Sequence, residues 1–100
     1  NAFQAEGEPA VFLAALDAEN VALAAQLALE LRHKLRAEFA YRPLKPKQAF
    51  TEAERRGARW VALIGSDEAA AGTVSLKDLR TGEQKVTAQA ALTELLDSDA

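Results

Sequence analysis

One hundred residues, 49% of them apolar and 27% charged, suit a single globular domain with a core of modest size. No apolar run approaches the roughly 18 residues of a membrane-spanning helix, and no basic-then-apolar leader opens the chain. Cysteine is absent, which excludes a disulfide framework, a thiolate metal site and a cysteine nucleophile, and fits a cytoplasmic protein.

The net charge of −3 conceals a pattern. Residues 1–31 carry five acids and no base, residues 32–59 nine bases against three acids, and residues 60–100 three bases against seven acids. A basic face on an acidic body is what a phosphate backbone responds to; a solvated surface with balanced charge is the plain alternative. The chain opens Asn1-Ala2 and contains no methionine, so it reads as a piece of a longer protein. Residues 1–9 form an N-terminal extension or expression remnant, 10–96 the domain and 97–100 a tail.

In chain order, 10–16 is an apolar run of strand length. Asp17 can then cap a helix whose stripe, Val21, Ala24, Ala28, Leu31 and Leu35, recurs at spacings of three and four for about five turns. His33, Lys34 and Arg36 suit the negative end of that helix, and a solvated role suits His33 better than a catalytic one. "AEFAYR" (37–42) alternates as a strand, with Phe39 and Tyr41 on one side. "PLKP" holds the next loop extended, and Pro46 opens a second helix that turns Ala49, Phe50 and Ala53 inward until Gly57 stops it.

"RWVALIG" (59–65) is apolar without alternation, the mark of a central strand covered on both faces. "SDEAAAG" makes a turn or a single helical turn. "TVSLKDL" alternates again, Thr81-Gly82 marks a tight turn, "EQKV" returns as a short strand, and Thr87 can cap a last helix carrying Leu92 and Leu96. The order β-α-β-α-β, hairpin, α implies a three-layer α/β/α domain with a mixed five-stranded sheet and three helices.

In such a sheet, ligands favour the edge where the parallel strands end. The Asp17 turn, the loop "RPLKPK" (42–47) and "GSDE" (65–68) should meet there, bringing cations beside carboxylates. Cations hold phosphates and carboxylates accept from base edges, a combination suited to an RNA loop with unstacked bases. Phe39 and Tyr41 offer a stacking surface unless they are core, the commoner fate of aromatics at strand spacing. Catalysis has little support. Asp67 and Glu68 have no nucleophile or metal partner in the pattern, and the scattered glycines make no phosphate-binding loop.

The run "RPLKPKQAFTEAERRGARWVALIGSDEAAAGTVSLKDLRTGEQ" resembles the C-terminal anticodon-binding domain of the class IIa aminoacyl-tRNA synthetases, in the form found in bacterial histidyl-tRNA synthetases. The lysine-bearing loop, the G-x-x-E at Gly65–Glu68 and "GTVSLKDLRTGEQ" (72–84) carry the likeness, which spans about residues 10–96. The resemblance implies a mixed five-stranded sheet with three helices and a module that reads the anticodon loop of histidine tRNA. It implies no catalysis or cofactor in this chain. ATP with Mg would serve the parent's catalytic domain, and the parent would be a cytoplasmic homodimer that binds no membrane.

By that resemblance Glu68, Lys77 and Asp67 read bases, while Arg42, Lys45, Lys47 and Gln48 contact the RNA backbone or loop. Where the family often carries Gly-Glu-x-Glu, Ser66 stands at the first acid's position. A synthetase-like paralogue with a regulatory or dimer-contact role is the other reading of the same fold, and salt-insensitive self-association would favour it.

Overall fold

The computed structural model describes residues 10–98; the expectations for residues 1–9, 99 and 100 lie outside them. Among the described residues the order is β1 (Val11–Ala15), α1 (Val21–Leu31), β2 (Ala37–Phe39), α2 (Pro46–Arg56), β3 (Trp60–Ile64), α3 (Ser66–Ala71), β4 (Thr73–Asp78), β5 (Gln84–Ala88) and α4 (Leu92–Ser98). Short 3₁₀ turns precede α1 and α4. The sheet runs β2-β1-β3-β4-β5, with β2, β1 and β3 parallel and β4 and β5 antiparallel. This is the expected three-layer domain with a mixed five-stranded sheet. It has four helices rather than three, because "SDEAAA" closes into a six-residue helix.

β3 is central and buried along its whole length, as is β1 beside it. Their alternate residues serve two cores. Leu13, Ala15, Ala62 and Ile64 meet α1 and α4 on one face, together with Val74 and Leu76 of β4. Phe12, Ala14, Val61 and Leu63 meet Ala49 and Ala53 of α2 on the other. Phe12, Leu13 and Ile64 are fully buried, each contributing roughly 1.5–3 kcal/mol. Gly57 ends α2 at φ 77°, a left-handed conformation that suits a residue without Cβ, and its N–H returns to Ala53 and Glu54.

Local boundaries depart from the sequence reading in identifiable ways. α1 stops at Leu31, about three turns long, and the chain continues in tight turns in which Lys34 and Leu35 donate to the Leu31 carbonyl. Arg32 Nε donates to Ala37 O at 2.8 Å and folds this segment back towards β2. Leu35 still packs on the core from that turn, so its spacing reported burial and not helix length. β2 ends at Phe39: Ala40 donates to Leu13, and the chain then leaves the sheet towards Pro43. Thr87 does not cap α4, because it is the residue of β5 that pairs with Val74.

Candidate nucleic-acid interface

The three connections expected to meet at the carboxyl edge of the parallel strands do so, tied by hydrogen bonds. Leu44 N–H donates to Ala15 O and Leu16 N–H to Ile64 O, both at 3.0 Å. Ser66 Oγ donates to Asp17 Oδ2, also at 3.0 Å. Asp17 forms no side-chain cap on the helix start; its other oxygen accepts from Asn20 Nδ2. The serine at position 66 therefore stands against a carboxylate supplied from another loop, a pairing across 49 residues of chain.

Glu68 is the third residue of α3 and folds back over its start. Oε1 accepts from Gly65 N–H at 2.8 Å, and Oε2 from Ser75 Oγ at 3.0 Å. The Gly65 N–H, helped by Ser75, holds the carboxyl below the usual carboxylate range, against the opposing effect of burial. The close approach also explains the glycine. Gly65 has an ordinary extended φ of −99°, but a Cβ there would lie 2.9 Å from Glu68 Oε1 and 3.2 Å from Leu16 Cδ1. The spacing G-x-x-E thus builds a fixed, ionised acceptor at the sheet edge.

α2 begins in the same way: Gln48 Oε1 accepts from Lys45 N–H at 2.9 Å, and Pro46 fills the first helical position. Gln48's oxygen serves the helix start and its amide nitrogen faces solvent. Lys45 and Lys47 are exposed beside it, as is Arg42 on the preceding loop. These three cations form no ion pair among the described residues.

Lys77 reaches the site from β4, on the same face as Ser75, with Nζ 4.5 Å from the centre of the Phe50 ring on α2. It lies one same-face step along the strand from Ser75, a separation of about 7 Å. Phe50 fixes its direction. Asp67 is exposed on the first turn of α3. Glu68 and Ser75 thus touch, while Lys77 lines the adjoining flank of α2.

The nine bases of residues 32–59 do not form one basic face. Arg55 pairs with Glu52 at 2.6 Å, Arg56 pairs with Glu52 and Glu38, and Arg59 pairs with Asp78 at 3.2 Å. Arg32 and Arg36 lie at the opposite edge of the sheet, where Arg36 O accepts from Ala10 and Val11. Two site features escaped the sequence reading. The sequence places the Asp17 turn at this edge but assigns its carboxylate to a helix cap and not to Ser66, and Ser75, the partner of Glu68, carries no signal beyond strand alternation.

A family model described as "Anticodon binding domain" matches residues 10–98. Over 79 residues the chain is 67% identical to the histidine–tRNA ligase of Deinococcus radiodurans, covering 79% of this chain and 18% of that protein. It is 48% identical to the histidine–tRNA ligase of Thermus thermophilus over 79 residues, covering 79% of this chain and 19% of the relative. The chain therefore spans less than a fifth of these curated relatives. Its fold matches the crystal structure of histidyl-tRNA synthetase from Nostoc with a TM-score of 0.83 and 30% identity, covering 91% of this chain and 21% of that one.

Proposed function

The chain belongs to the anticodon-binding domain family, and from that premise we propose that it holds the anticodon loop of histidine tRNA as one module of a histidine–tRNA ligase. The observation that carries this reading is the meeting, at one sheet edge, of an anchored ionised Glu68 with the loop that bears Arg42, Lys45 and Lys47. Each oxygen of Glu68 already accepts one hydrogen bond. A carboxylate has about four lone-pair sites, so acceptor capacity remains for the N–H edge of a base.

Arg42, Lys45 and Lys47 hold phosphates, the Gln48 amide donates to the loop, and Lys77 donates alongside Glu68. Asp67, on the exposed first turn of α3, offers a second acceptor. The chain contributes binding and no chemistry of its own. Joining of histidine to tRNA, with ATP and Mg, belongs to a catalytic domain elsewhere in the parent, which works as a homodimer in the cytoplasm.

The test is titration with an anticodon stem-loop carrying GUG and with one whose three anticodon bases are changed, at two salt concentrations. Preference for GUG at both salts is expected, with an affinity that falls as salt rises. Three phosphate contacts on single-stranded RNA give a log–log slope of about −2. Equal affinity for the two RNAs would refute base reading by this chain.

A further inference from the structure

The flank of α2 that faces away from Lys77 and Glu68 holds a groove that shares its cations with the reading above, but whose apolar lining and Tyr41 that reading leaves without a role. It runs between residues 40–45 and the outer side of α2 and encloses about 860 Å³, within the roughly 300–1,000 Å³ of small-ligand sites. Its lining includes the apolar side chains of Phe12, Ala40 and Leu44. At one end Arg56 lies over the Phe12 ring at 4.9 Å, and its charge is answered by Glu52 and Glu38. The end nearest the sheet edge is formed by Arg42, Lys45 and Lys47 and remains cationic.

Tyr41 stands on this lining and is 84% exposed. Its ring meets Phe39 at 5.0 Å and 89°, an edge-to-face contact that orients it while leaving ring surface open. A bare aromatic ring, an apolar lining and unpaired cations at one end match the two parts of a nucleotide, which has a flat base and a charged phosphate. A peptide segment would not call for the cations, nor a free phosphate for the ring.

We propose that this groove seats one unstacked nucleobase of the bound RNA loop, stacked on Tyr41, with its phosphate held by Arg42 and Lys45. The inference rests on the RNA-binding reading and adds a second base station, across α2 from Glu68. Stacking is nearly indifferent to base identity, so this station contributes affinity without specificity.

The stem-loop titration is repeated with Tyr41→Ala and Tyr41→Phe, and with stem-loops made abasic at one loop position at a time. Tyr41→Ala should weaken binding about tenfold for GUG and altered anticodons alike, with the salt slope unchanged, and Tyr41→Phe should bind like the parent chain. One abasic position should cost the parent chain as much as Tyr41→Ala does and cost the variant nothing further, which identifies the seated nucleotide. Tyr41 is exposed, so unfolding curves of the variants should overlay that of the parent chain. Tight binding of the parent chain that Tyr41→Ala leaves unchanged would overturn the groove assignment alone. Failure of the parent chain to bind any stem-loop would overturn both readings.

Discussion

Glu68→Gln separates the structural duty of this side chain from its proposed reading role. Glutamine keeps the length and one acceptor oxygen, so the bond from Gly65 N–H at 2.8 Å can persist; the charge is lost. A hydrogen bond to a charged group contributes about 1.5–3 kcal/mol and a neutral one about 0.5–1.5, a loss of about 1–1.5 kcal/mol per bond and about 2–3 kcal/mol across the bonds from Gly65 and Ser75. Glu68 is half-buried, and solvent screening reduces the effect to about 1 kcal/mol. For a domain of this size that lowers Tm by about 4–8 °C.

The pH dependence carries a defined sign. The folded pKa of Glu68 lies below its reference value of 4.5, because the Gly65 N–H and then Ser75 favour the ionised form against burial. Its stabilising contribution is fully present above the unfolded value and is lost as pH falls through the folded one. Urea unfolding of the two proteins should thus show a constant gap from about pH 7 to about pH 5 that closes on further acidification. In the stem-loop titration at neutral pH, Glu68→Gln should keep most of the affinity and lose most of the preference for GUG. Equal stability at neutral pH, or a gap that widens on acidification, would refute the argument from the anchored carboxylate.

Lys45→Ala combined with Lys47→Ala should weaken binding to every stem-loop alike and flatten the salt dependence by about 1.4 in slope, read from titrations at several salt concentrations. A change in base preference instead would contradict their assignment to phosphates. Gly65→Ala places a Cβ 2.9 Å from Glu68 Oε1, so the carboxylate must move. It should cost about 1 kcal/mol in urea unfolding and relax base preference as Glu68→Gln does, and full retention of both would uncouple the glycine from the acid. Trp60, 7% exposed beneath the Arg59 guanidinium at 4.7 Å, is core. Trp60→Ala should destabilise by about 3–5 kcal/mol in the same assay, with the RNA affinity of the remaining folded fraction unchanged.

Much of this architecture is local in origin, and so it was legible in the residues. Alternation along "TVSLKDL", the unbroken apolar run "RWVALIG", Pro46 at a helix start and Gly57 after one each act within a few residues. The order of elements then leaves few sheet topologies, and the carboxyl edge follows as the place where three loops converge. The resemblance carried by Gly65–Glu68 and residues 72–84 narrowed the function beyond what pattern alone supports.

What depended on distant partners was not legible. Arg56 and Glu38 stand 18 residues apart, Arg59 and Asp78 19, and Ser66 and Asp17 49. Charge counts suggested one basic face, yet Glu52 within α2 and Glu38 from β2 neutralise the arginines at the end of that helix, and Arg42, Lys45 and Lys47 are left to face solvent. Phe39 and Tyr41 share a period but part company, since Phe39 packs on the core while the chain leaves the sheet before Tyr41. Backbone periodicity and turn chemistry are set by bonds between near neighbours, so the order of residues determines them. Which charge is paired and which ring stays bare depends on distances that exist only once the layers have packed.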